Sequence, residues 1–368
     1  MVPQQPPRVP GHVLRAALGA LILAACGGDE PPDCDVAAGT GPAMPATGLC
    51  KRLSTYRLFT DVARQAADPA LVPYDLATPL FSDYADKRRW LYLPPGSVAA
   101  WRDVDALELP IGAMLVKTFA YADDRRSPAA GQRLLETRLL LRQLGGWKAA
   151  AYVYREDGTD ADLAVDGDAI DAAWVHDDGA PRTNRYLVPD TNQCLNCHGE
   201  HAARMAPLGP KVRHLNRPTI DGAANQLQRL IDAGLLTGAP DPSTWPRDPA
   251  LDDPTAPLAA RARAWLDVHC AHCHNGTGAA RTVGLDFSSA QTNPEALGVC
   301  KLPVAGGAAT GGRRYDVVPG QPDQSILVFR LESTDPELRM PSLGRNLVDA
   351  EGLALIRAWI AGLPGGCP

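Results

Sequence analysis

Once its first 25 residues are set aside, the 368-residue sequence has no hydrophobic run long enough to cross a bilayer. Nor has it an excess of basic residues: 36 Lys and Arg stand against 42 Asp and Glu, a formal net charge of −6. That balance argues against a nucleic-acid partner, which needs a positive face. Methionine is scarce, at five residues, one of which opens the chain. Few thioether side chains are therefore on offer to a metal. Glycine and proline, at 34 each, mean many turns, yet 45% hydrophobic residues can still build cores. About 340 residues follow the leader, enough for two or three domains.

Against this background one pattern occurs twice, as Cys194-Leu195-Asn196-Cys197-His198 and as Cys270-Ala271-His272-Cys273-His274. C-x-x-C-H is the attachment pattern of a c-type haem. Two thiols three positions apart meet the two vinyl groups of one porphyrin, and the adjacent His lies beneath the iron. With 9 Cys and 8 His in the chain, chance gives about 0.005 such matches, so two demand a cause. A thiol redox pair or half a zinc site needs no trailing His, let alone two. The expectation is two covalently bound haem c groups, with Cys194, Cys197, Cys270 and Cys273 as attachment sites. His198 and His274 are the proximal iron ligands.

The N-terminus agrees in compartment. Arg8 and Arg15 precede an apolar stretch, Ala16 to Ala25, too short to span a membrane. It ends in Leu23-Ala24-Ala25-Cys26-Gly27, which resembles the lipobox of bacterial lipoproteins. Residues 1–25 read as a signal peptide and Cys26 as the lipidated first residue of the mature chain. The expected location is the periplasmic side of the envelope, lipid-anchored at the outer membrane. Haem and lipid account for five cysteines and leave Cys34, Cys50, Cys300 and Cys367. An even remainder in an oxidising compartment suggests two disulfides. Three connectivities are open, and closeness along the chain favours Cys34–Cys50 and Cys300–Cys367.

Residues 26–52, rich in Gly, Pro, Ala and Asp, read as a flexible tether. From 53 to 206 the pattern is strand-like and ends in the first motif. Arg89 to Leu93 stops at Pro94-Pro95-Gly96, and Ala113 to Phe119 follows Pro110-Ile111-Gly112. Leu134 to Leu144 reads as strand, although its leucines also allow a helix. Residues 207–255 form a connector with one helix near Ala223 to Ala233. Residues 256–368 hold the second motif, a helix leading into it and a terminal helix from Asp349 to Leu363.

A His/Met iron needs a Met far along the chain from its motif. Met340, followed by Pro341 and the final helix, is the candidate ligand for the second haem. The order of haem helix, long loop, Met-Pro and last helix resembles the single-haem cytochrome c fold. That resemblance implies an all-α C-terminal domain. For the first haem, Met205 and His201 lie too close to His198 to reach the opposite face. Nothing selects between His176 and His214, and a five-coordinate iron is the other reading.

Several further stretches carry a wider resemblance: Tyr74-Asp75-Leu76, Thr78 to Tyr84, Leu115 to Phe119, Glu136 to Leu140, Asn192-Gln193 and Met340-Pro341. With both motifs they resemble a family of exported bacterial two-haem c-type cytochromes, over nearly the whole mature chain. The β-rich part ending in C-x-x-C-H is similar to cytochrome c′-β and its lysine-cross-linked relatives. There Lys117 is the matching strand lysine, with a solvated strand lysine as its plain reading. The expected fold is thus α+β and multidomain. It has an N-terminal antiparallel β-domain carrying haem 1, a helical connector, and a C-terminal all-α cytochrome c-like domain carrying haem 2. The expected function is electron transfer with redox partner proteins, other cytochromes or exported oxidoreductases. The alternative is a haem enzyme or small-ligand binder that reacts at an open haem 1 and uses haem 2 as electron port.

Overall fold

Alternating side chains along residues 71–163 build a six-stranded antiparallel sheet, with each strand beside the next in sequence. The strands are Leu71–Pro73 (β1), Asp86–Tyr92 (β2), Met114–Ala122 (β3), Gln132–Gln143 (β4), Gly146–Tyr154 (β5) and Ala161–Leu163 (β6). In β3, Met114 and Val116 join one apolar cluster while Leu115 and Phe119 join others on the opposite face. This is the period-two pattern of a pleated strand. The leucine-rich stretch is strand β4, paired with β3 from Met114 opposite Leu141 to Ala122 opposite Gln132. A bulge falls between Phe119 and Ala120. Gly158, with φ of 68°, makes the turn from β5 to β6 that a residue with a Cβ adopts poorly.

The structure, a computed structural model, describes residue 1, residues 33–200 and residues 204–368. The leader, Cys26 and His201 lie outside the described residues. Asp33–Pro368 pack as one unit. Within the expected tether, residues 33–52 are held against the sheet. Cys34 is bonded to Cys50, and the Gln143 side chain donates to the carbonyls of Pro45 and Gly48 at 3.1 and 2.8 Å. Cys50, Leu53, Tyr56 and Leu58 are fully buried against Met114, Leu139 and Leu141 of the sheet. Each such side chain contributes roughly 2–3 kcal/mol of burial.

The opposite sheet face is covered in part by a hairpin, Asp168–Val175 (β7) and Pro181–Val188 (β8). Trp174 of β7 stacks on Tyr121 of β3 at 4.5 Å. The first motif follows as a short helix, Cys194–His198 (α1). The connector holds Val212–Leu215 (α2) and Gln226–Asp232 (α3). Asn225 caps α3 by accepting the Leu227 N–H at 2.9 Å. The connector is not wholly helical: Leu236–Thr237 pairs in parallel with Ala99–Ala100.

The expected all-α C-terminal domain is not what the structure contains. The molecule is mostly β-rich, with six short α-helices among the described residues. Three belong to the C-terminal part: Leu258–Leu266 (α4), Ile326–Glu332 (α5) and Ala350–Ala361 (α6). Between α4 and α5 the chain is irregular, with left-handed glycines at 284, 298, 311, 312 and 320 breaking any helical run. α4 widens into a π-helical turn, Asp267–Ala271, so the second motif opens on a distorted helix end. Asp349 caps α6 by accepting the Gly352 N–H at 2.9 Å, and also accepts the Trp265 indole N–H at 3.0 Å. Gly352 is needed there, since a Cβ would collide with Trp265.

Candidate functional site

A cavity of about 740 Å³ opens between the second sheet face, α1, the connector and the start of the second motif. Its floor is Leu115 and Lys117 of β3, Arg138 and Leu140 of β4, and Ala149 and Ala151 of β5. Cys194, Cys197 and His198 of the first motif all line it. His198 is held by a reciprocal pair. Its carbonyl accepts the Ala206 N–H at 2.8 Å, and its Nδ1 lies 2.9 Å from the Ala206 carbonyl. With Nδ1 donating to that carbonyl, Nε2 carries the free lone pair, the state a metal-ligating His requires. Burial lowers the His198 pKa, against the pull of that hydrogen bond.

From the second motif, Ala271 and His272 reach the same cavity, while His274 does not line it. His274 packs edge-on to buried Phe287 at 5.7 Å, and its Nδ1 has no hydrogen-bond partner among the described residues. Burial, with the charge of Arg330 nearby, lowers its pKa to about 4. Met340 does not line the cavity either, although Pro341, Leu343 and Arg345 just after it do. Met340 is tied to the His274 neighbourhood through Arg330, whose carbonyl accepts the Met340 N–H at 2.9 Å.

The remaining histidines and methionines are mostly committed elsewhere. His176 faces Tyr84 and the Trp174 indole and does not line the cavity. His214 does, but Nδ1 lies 3.1 Å from Asp248 and Nε2 3.5 Å from Asp267. His269 sits beside it, stacked on Trp265, with Nδ1 donating to the Trp265 carbonyl at 2.8 Å. Its Nε2 accepts the Phe81 N–H at 2.8 Å. Met114 is buried on the other sheet face, and Met205 pairs with Gly199. No methionine lines the cavity among the described residues.

The cavity is apolar in its floor and basic at several points of its wall. Arg89 is buried there, with Nη1 on Asp75 at 2.8 Å and Nη2 without a hydrogen-bond partner among the described residues. Lys117 Nζ sits 4.6 Å from the Phe119 ring and has no hydrogen bond or ion pair among the described residues. Burial, with Arg89, Lys87 and Arg138 nearby, pushes its amine well below the ordinary range. Arg138 shares that ring and pairs with buried Glu136 at 2.5 Å. Lys211, Arg213 and His214 converge on Asp267, which they hold ionised well below the usual carboxylate range despite its burial. An apolar slot walled by cations suits a flat macrocycle that carries carboxylates.

The cysteines divide cleanly. Cys34–Cys50 and Cys300–Cys367 are disulfides, and the free described cysteines are Cys194, Cys197, Cys270 and Cys273. Burial raises the Cys270 thiol to about 12 and pushes Cys194 up as well.

Sequence reasoning passed over Asp83, His269 and Asp267, which join the chain's two ends around the cavity. Buried Asp83 accepts the N–H groups of Asn346 and Leu347 and the Asn184 amide, at 2.8 to 2.9 Å. Their partners are distant in sequence, so no local spacing announces them; only the place of Asp83 inside the stretch Thr78 to Tyr84 was visible. No family model, curated protein or solved structure matches the chain.

Proposed function

We propose that this chain is an exported two-haem c-type cytochrome that carries electrons on the outer side of the inner membrane. Cys194 and Cys197 would hold one haem and Cys270 and Cys273 the other, with His198 and His274 as proximal ligands. The observation that carries this reading is the pairing of the cysteines: among the described residues, four form two disulfides, and the four left free are those of the two C-x-x-C-H motifs. Haem, when bound, supplies one-electron chemistry at its iron.

The chain's part is to hold and orient. The Ala206 carbonyl fixes the His198 tautomer, as a partner behind a metal-bound His does. Met340 remains our candidate for the sixth ligand of the second iron, brought into the region of His274 by Arg330. The leader and Cys26 would deliver the protein to the envelope and anchor it there by lipid. Its partners would be other cytochromes or exported oxidoreductases.

A second reading has one observation in its favour. The cavity beside His198 offers Lys117 and no methionine, so the first iron could keep a position open to a small ligand. Carbon monoxide separates the two. An electron carrier takes up two electrons per chain and leaves ferrous spectra unchanged under carbon monoxide. Binding of one carbon monoxide per two haems would move the assignment to an enzyme or ligand binder.

A further inference from the structure

Across the floor of the cavity the strand register sets three basic residues side by side. Arg89 of β2 stands opposite Lys117 of β3, and Lys117 stands opposite Arg138 of β4. Cross-strand neighbours lie about 5 Å apart at Cβ, where like charges repel. Each outer guanidinium carries its own carboxylate, Asp75 on Arg89 and buried Glu136 on Arg138. Lys117 carries none, and its Nζ has no hydrogen bond or ion pair among the described residues. Lys87, on the neighbouring strand, at least donates to the Leu80 carbonyl at 2.8 Å. An amine held between two guanidiniums without an acid of its own sheds its proton readily and keeps a free lone pair. Burial acts in the same direction.

The other donors that line the cavity are engaged. His214 lies between Asp248 and Asp267, and His269 has both ring nitrogens occupied. Lys211 pairs with Asp267 at 3.3 Å. His272 lies with Cys273 within 4.8 Å of Cys197 Sγ, where the two motifs meet, and so stays on the side of the first motif. Tyr74 is a phenol whose pKa burial raises to about 12. Among the described residues no methionine lines the cavity, which leaves Lys117 as the unengaged nitrogen donor beyond the motif itself. It stands near enough to His198 for its charge, when protonated, to act on that ring. Beside this row on β5 comes Ala151, whose methyl leaves room above the floor.

We infer that Lys117 is the second axial ligand of the first iron, its Nζ completing the coordination begun by His198. This deepens the proposed function and rests on it. The amine gives its lone pair to the iron; no electron is transferred and no covalent bond is broken. His198 enters the cavity from α1 and Lys117 from the sheet, so the haem would be held between two elements that the fold fixes independently. Such ligation closes the position that a small ligand would need, and it favours electron transfer over chemistry at that iron.

The test uses the full-length holoprotein and reads spin state. Oxidised native protein should show no high-spin ferric signal from its first haem in electron paramagnetic resonance. Lys117→Ala should convert about half of the haem to high spin while intact mass still finds two covalent haems. Added n-butylamine should return that half to low spin, which a merely structural role for Lys117 would not produce. Should the alanine variant fail to fold, Lys117→Leu keeps the apolar bulk of the stem and equally lacks a ligand atom. Variants as low-spin as the native protein would overturn the inference, as would a native first haem already high-spin; both leave the proposed two-haem chain standing. Fewer than two covalent haems in the native protein would overturn the proposed function, and the inference with it.

Discussion

His269 and His274 lie close in sequence and in opposite situations. His269 has both ring nitrogens engaged and is buried, which lowers its pKa to about 3 from 6.5. A histidine whose folded pKa is depressed gives its full stability above the unfolded pKa. Below about pH 6.5 the unfolded chain takes up a proton that the folded chain refuses until about pH 3. Stability should fall across that window by up to ~1.4 kcal/mol per pH unit. Urea unfolding at pH 7 and pH 4.5 should show the His269→Gln variant losing less stability on acidification than the native chain. Equal losses would mean that His269 does not stay neutral in the fold. His274, by contrast, keeps an unpartnered Nδ1 beside Phe287. If Met340 ligates the same iron, Met340→Ala should abolish the near-infrared sulfur–iron band and lower one of the two potentials. An unchanged band would assign that ligand to another residue. Cys194, Cys197 and His198 stood out in the sequence because the attachment pattern is a local spacing, and the structure sets all three along the cavity. His269 did not, because Phe81 is far from it in the chain.

Among the elements, the stretch from Thr78 to Asp86 works as a clasp. Leu80 accepts from Lys87, Phe81 reaches His269, and Asp83 holds the loop after Met340. Asp83→Ala would leave two backbone N–H groups unpaired in a buried place, while the Asn184 amide would keep only its bond to the Tyr121 hydroxyl. The expected cost is about 3 kcal/mol or more. Denaturant unfolding checks it, with Asp83→Asn expected to lose less. A variant of native stability would show that the clasp is incidental. The strands were readable because alternation over β3 and β4 decides which face is buried, and the continuous leucines of β4 only blurred helix against strand. The terminal helix was readable too: Ile356, Trp359 and Ile360 are buried on one face of α6. The all-α domain was misread because amphipathic helices flank the segment while its interior is set by glycine and proline turns, which carry no period. Gly352→Ala, a standard helix-favouring change, should here destabilise the protein by forcing α6 off Trp265. A rise in melting temperature would contradict that crossing.

For the whole molecule, the account is a sheet with two occupied faces. One is closed by the disulfide-pinned segment from Asp33 to Val62, the other by the cavity and the two motifs. The meeting of the motifs was invisible to sequence reading, because it is made by the connector and the clasp together. If Cys26 is the lipid anchor, Cys26→Ser should release the protein from membranes into the soluble periplasmic fraction. Identical fractionation of the two would remove the anchor. The central claim is that both C-x-x-C-H motifs carry covalent haem. Mature protein, denatured and extracted with acidified solvent, should by intact mass retain two haems per chain. Peptide mapping should place them on Cys194/Cys197 and Cys270/Cys273. Haem that extracts freely, or zinc in place of haem, would contradict it.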